Sequence, residues 1–203
     1  MKRIKIFVLS VLLASLLAAC IPQTQSTGYQ VAVINAPTEA RVAGLAERLE
    51  SSLVNYGYSG FTSSSRVRFL ERNREMHSYR AVLSSAFIAR TVGAEYAVFV
   101  GAPIYERQIE EITPIGSLIK VLHISTKLQL EAVIVDPVTA KEIARYSSRV
   151  YIGERIVPLD AKIPNKEDDP DLSNAISNAL KDISPSLANE LESLRENYTR
   201  VIE

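Results

Sequence analysis

The sequence predicts one α/β domain over residues 29–203, a mixed sheet packed by helices in the order β-α-β-α-β-β-β-α. Three observations carry that expectation. The first part of the chain alternates short β-rich runs with helix-period stretches, which implies neighbouring parallel strands with helices against them. From residue 95 onward, strand-like runs follow one another with only turns between them. A long segment with an apolar stripe at helical spacing then closes the chain.

Each element has its own local warrant. Tyr29 to Asn35 (YQVAVIN) is rich in β-branched residues and is ended by Ala36-Pro37. Thr38 is a plausible N-cap for a helix reaching Tyr56, with Val42, Leu45, Ala46, Leu49 and Leu53 on one face and Gly57 beyond its end. Arg66 to Leu70 reads as a second strand. Glu71 to Val92 reads as a second helix with Met76, Tyr79, Val82, Leu83, Ala86 and Phe87 inward, stopped by Gly93. Glu95 to Tyr105 is a buried strand in which Gly101 and Pro103 imply a bulge or an edge late in the run.

The second half reads as antiparallel. Leu118 to Asp136 ends in clean alternation, with Leu128, Leu130, Ala132 and Ile134 on one face and Gln129 and Glu131 on the other. Asp136 to Ala140 is a turn, and Lys141 to Ile152 returns as the partner strand. Val157 to Asp171 holds three prolines and a charge run, so it reads as loop. The last helix starts near Asp171, with Leu172, Ala175, Ile176, Ala179, Leu180, Ile183 and Leu187 as its stripe. Pro185 is expected to kink or divide it.

Ahead of the domain stands a leader. Lys2, Arg3 and Lys5 precede an apolar run, Ile6 to Leu17, too short to span a bilayer comfortably. Leu17-Ala18-Ala19-Cys20 then places the chain's single cysteine after small residues, a layout that resembles a bacterial lipoprotein signal. The expectation is a signal peptide over 1–19, a lipidated Cys20 with a short tether over 20–28, and a bilayer as the first partner. Ile21, where an Asp would favour the inner membrane, favours an outer-membrane, periplasm-facing protein, with inner-membrane and cell-surface placement as the alternatives. Pro22 to Gly28 and its neighbours reach about 25–30 Å when extended, so the domain stays near the lipid.

Composition narrows the function classes. Three of the 23 basic residues lie in the leader, leaving 20 against 23 acidic ones, which is no nucleic-acid footprint and no polybasic membrane patch. His77 and His123 are the only histidines and have no ligand-spaced partner. No phosphate-binding glycine motif occurs. Asp136 precedes Pro137, which is turn chemistry before it is catalysis. The expectation is a non-enzyme with no cofactor and no metal.

Candidate contact residues remain. Glu71, Arg72 and Arg74 cluster at the expected strand-to-helix junction, where the plain alternative is a solvated helix start. Tyr105, Tyr146 and Tyr151 are candidate interface aromatics, and equally good sheet packing.

Taken in order, these segments resemble the CsgG-type curli-secretion lipoproteins and their relatives, including the penicillin-binding-protein activator lipoproteins. The residues concerned are the box ending in Cys20, Phe69 to Glu75 (FLERNRE), Gly93-Ala94-Glu95-Tyr96 with Val100-Gly101, Leu130 to Lys141 (LEAVIVDPVTAK), and the closing helix. Met76 stands near a usual leucine, and Ala140 replaces the usual glycine of the hairpin. The resemblance implies a CsgG-like periplasmic domain that works by protein contact, as a homo-oligomer with envelope proteins as partners, in outer-membrane assembly or export. It also offers two narrower roles, activation of a peptidoglycan synthase or membership of a curli-type channel. The channel members insert hairpins into a membrane barrel. Here Glu106 to Ser117 carries charges and a Pro-containing tip, and Gly153 to Asp171 is interrupted by Pro158, Pro164 and Pro170. Neither supplies two lipid-compatible strands, so no pore of its own is expected.

Overall fold

The computed structural model describes residues 29–36, 42, 44–73, 81–165 and 168–202. Cys20, Thr38, Arg74, Met76, His77 and Tyr79 lie outside them. The elements are β1 (Val31–Asn35), α1 (Leu45–Asn55), α2 (Ser64–Asn73), α3 (Ala81–Val92), β2 (Tyr96–Ile112), β3 (Val121–Asp136), β4 (Lys141–Ser147), β5 (Tyr151–Pro158) and α4 (Pro170–Ile202). They form the expected single α/β domain with a mixed, five-stranded sheet.

β1 pairs parallel with the start of β2, Val31 opposite Tyr96 and Asn35 opposite Val100. β2 and β3 are antiparallel from Ala97–Val135 to Ile112–Val121, with a register shift between Gly101 and Ile104 where the bulge was expected. The other edge of β3 is shared. β4 takes its C-terminal half and β5 its N-terminal half. At the joint, Ser148 keeps the ladder going with both backbone and side chain, its N–H donating to the Leu130 carbonyl and its Oγ accepting from the Leu130 N–H.

Strand alternation sorts two cores. On one face Val31, Val33, Val98, Val100, Leu128, Leu130, Ala132 and Ile134 meet α1 and α4. On the other, Ala32, Ile34, Ala97, Phe99, Val133 and Val135 meet α2 and α3. Because β1 is covered on both faces it reads as a continuous apolar run. The expected stripes of α1 and α4 are the buried ones, and α4 continues unbroken through Pro185. Ser184 on α4 and Ser52 on α1 bond hydroxyl to hydroxyl at 2.8 Å.

Several local expectations change. Residues 66–70 form part of α2 rather than a strand. Val67 and Leu70, three apart, share the buried side, while Phe69, which a strand would place beside Val67, is largely exposed. Glu71 therefore closes α2 instead of opening a helix. In α3 the inward face is Ser84, Ser85, Ala86, Ile88, Ala89 and Val92, and Leu83 and Phe87 stand exposed. Small side chains, with Ile88 and Val92, make up that face, and Ala86 is inward as expected. α1 begins at Leu45 behind Gly44, whose φ of 70° suits glycine. The return strand splits at 148–150 and runs on to Pro158. β2 continues past Tyr105 to Ile112, so part of each expected insertion is strand.

Candidate interaction surface

The long strands leave the core together. Beyond the bulge, residues 104–112 of β2, 121–129 of β3 and 151–158 of β5 form a three-stranded arm. At roughly 3.3 Å per residue, the 17-residue β2 is about 55 Å long.

Directly opposed residues share a face, so the register assigns each side chain. Tyr105, Leu128 and Tyr151 form one row across the covered face, followed by Arg107, Thr126 and Gly153, then Ile109, Ile124 and Arg155. The strap before α4 closes over these rows. Asp169, with no exposed side-chain surface, lies 2.9 Å from Arg107 Nε and 3.1 Å from an Arg155 Nη. Asp171 lies 3.2 Å from Arg155 Nε, and Arg107 also donates to the Pro164 carbonyl at 3.0 Å. Asp169 Oδ1 accepts the Asp171 N–H at 3.0 Å, so the same carboxylate caps α4, with Pro170 as its first residue.

The opposite face of the arm is open. It carries Glu106, Gln108 and Glu110 on β2, His123, Ser125 and Lys127 on β3, and Ile152, Glu154 and Ile156 on β5. Ile152 and Ile156 are each 59% exposed. Lys127 reaches Glu106 at 3.6 Å, and His123 lies 3.9 Å from Glu154. The α2/α3 core ends below this face, at Phe99 and Val133.

Both outer edges of the arm are unpaired among the described strands. β1 stops at Val100 on one side, and β5 has only β3 as a partner on the other. The arm ends in an apolar tip. Between Leu118, Ile119, Lys120 and Val121 on one side and Pro158, Leu159 and Asp160 on the other runs a shallow groove of about 670 Å³.

The candidate contact residues scatter across this framework. Glu71 is half-buried and internal. It accepts the Asn35 N–H at 2.7 Å and bonds Arg68, which also meets Glu47 at 2.6 Å. Asn35 in turn accepts the Ala46 N–H at 2.9 Å, capping α1 from a distance. A glutamate expected at a solvated helix start is thus a tie between β1, α1 and α2. Arg72 is exposed. Tyr105 and Tyr151 pack against the main core on the covered face, with the Arg149 guanidinium 5.8 Å from the Tyr151 ring centroid. Arg149 also binds Asp182 on α4, holding that carboxyl down at about 2 with help from the Tyr151 hydroxyl. Asp136 is a turn residue, accepting from Val138 N–H and from the Thr139 hydroxyl. Burial pushes its carboxyl up, but these bonds outweigh it and the net shift is downward.

What sequence reading missed is the arm. The bulge at Gly101–Ile104 and the alternation of 104–112 (IYERQIEEI) were its available signals, and the acidic residues concealed the second.

Among the described residues no group of three His, Cys, Asp or Glu is placed to hold a metal, and no helix is long and apolar enough to cross a membrane. No family model matches the chain, and no curated protein does. Among solved structures the chain is similar to a variant PelC dodecamer from Paraburkholderia phytofirmans, at 15% identity over 78% of this chain and 88% of that one, with a TM-score of 0.40. It is similar to LpoB from E. coli at 17% identity, over 62% of this chain and 58% of that one, with a TM-score of 0.41. Lipoprotein GNA1162 from Neisseria meningitidis is 17% identical over 79% of this chain and 99% of that one, with a TM-score of 0.41.

Proposed function

We propose that the chain is an acylated bacterial envelope lipoprotein whose α/β domain is a non-catalytic docking module, facing the periplasm and serving outer-membrane assembly or export. The arm carries this reading. Two unpaired strand edges, 104–112 and 151–158, flank an open face with exposed isoleucines. Sheets ordinarily cover or blunt such edges, and an uncovered edge accepts an added strand from a partner or from a second copy. The leader and Cys20 support the envelope placement.

A photo-crosslinking residue placed in living cells at Gln108, at Glu154 and, as a control, at exposed Arg48 tests the reading. Discrete adducts from the two arm positions and none from Arg48 are expected. An adduct of twice the chain's mass identifies a second copy. Adducts from neither arm position, or equally from all three, sink the reading. The narrower roles, synthase activation and channel membership, rest on the sequence resemblance of 69–75 and 130–141. The identity of the adducts separates them.

A further inference from the structure

The two most exposed aliphatic side chains among the described residues, Ile115 and Leu118, lie together at the end of the arm. Ile115 and Leu118 are fully exposed and Ile119 is 71% exposed, with Leu159 beside them across the groove. From Ile112 to Ile119 no side chain is charged. The first charges on either side, Glu111 and Lys120, neutralise one another at 2.5 Å. The turn makes two backbone N–H hydrogen bonds of its own. Ser117 N–H donates to the Pro114 carbonyl at 2.9 Å, Ile119 N–H donates to Ser117 Oγ at 3.0 Å, and Gly116 supplies the positive φ of 81° that closes it. Such a turn leaves water more readily than a charged one, because residues 112–119 hold no ion to be dehydrated.

We propose that this tip, Ile115, Leu118, Ile119 and Leu159, inserts into the interface of a lipid bilayer, the same bilayer that holds the acylated Cys20. The inference rests on the lipoprotein reading and adds a second point of attachment to it. The tip's aliphatic side chains suit the acyl boundary, which demands no complementary shape, while Lys120 and Asp160 at the rim of the groove stay at the headgroup level. The chain length outside the described residues permits both contacts. Tyr29 enters beside Glu95, at the opposite end of β2 from the tip, where Gln30 N–H donates to the Glu95 carboxylate at 2.6 Å. A fully extended chain of nine residues reaches about 30 Å at most, so the length of 20–28 permits the sheet to lie along the surface with its tip down. One apolar contact alone binds a bilayer marginally, whereas a contact tethered beside an acyl anchor acts at high effective concentration.

The chain has no tryptophan, so Ile119→Trp creates a single fluorescent reporter. The acylated mature chain bearing it is reconstituted into phosphatidylethanolamine–phosphatidylglycerol vesicles with brominated or ordinary acyl chains. A blue-shifted emission that bromine quenches is expected, and adding Ile115→Asp and Leu118→Asp should abolish the quenching while the protein still floats with the vesicles. Floating protein with unquenched emission overturns the proposal and leaves the anchor standing. A blue shift that bromine does not touch means the tip is buried against protein, which also overturns it. Protein that fails to float overturns the lipoprotein reading, and the proposal with it.

Discussion

Asp169 and Arg107, 62 positions apart in sequence, meet at 2.9 Å beneath the strap that closes the covered face of the arm. The carboxylate has no exposed surface and also binds Arg155 and the first turn of α4. One side chain therefore ties β2, β5 and the closing helix together. Asp169→Ala strips the Arg107 guanidinium of its carboxylate, leaves Arg155 with Asp171 alone, and removes the cap. Breaking a buried pair and losing a cap together cost about 3–5 kcal/mol. Urea unfolding should show that loss, and a change under about 1 kcal/mol would mean solvent replaces the carboxylate freely.

Gly153 faces the first turn of α4 at close quarters. A Cβ there would sit 2.9 Å from Asp171 Cβ, an atom fixed next to the α4 backbone. Gly153→Ala should destabilise the domain by about 1–3 kcal/mol, the range for overpacking a filled site. A melting temperature equal to the parent's would show that the strap moves aside without strain.

Ala140 offers the opposite sign. It closes the β3–β4 turn with φ of 52°, a left-handed conformation that a Cβ disfavours. Ala140→Gly relieves that strain but gains unfolded-state entropy, so a net stabilisation of about 0.5–1 kcal/mol is expected. Thermal denaturation decides the sign.

Asp182 links stability to pH. Its folded carboxyl sits at about 2, against an ordinary 3.8, because the Arg149 guanidinium and the Tyr151 hydroxyl bond its charged form. A lowered folded value means the contribution is complete above about 4 and is lost as pH falls toward about 2. Arg149 is mostly exposed, so solvent and salt screen the pair, and Asp182→Asn should cost only about 0.5–1 kcal/mol at neutral pH. The gap between parent and variant should close as pH drops through that window. A gap that persists at pH 2 contradicts the assignment.

Much of the layout was legible in the residues, and Ser64 to Asn73 shows where legibility stopped. Val67 and Phe69 alternate as in a strand, yet Val67 with Leu70 also fits a helix, and five residues cannot separate the two periods. The tertiary contact between Glu71 and Asn35 accompanies the helical outcome. Leu83 and Phe87 differ from expectation for a related reason: helical period alone does not fix which face meets the sheet, and that face carries Ser85, Ile88 and Ala89 beside the expected Ala86.

The chain by itself determined the class of fold, the stripes of α1 and α4, the alternating half of β3, the bulge and the turn glycines. All of these follow from short-range periodicity and from backbone angles that few residues tolerate. Tertiary structure alone decided that 104–112 and 151–158 join β3 in one projecting arm, with Arg107, Arg155 and Asp169 locked on one face and the other left open. Pairing across a sheet and neutralisation of buried charge depend on which distant segments meet. Local spacing carries no record of that.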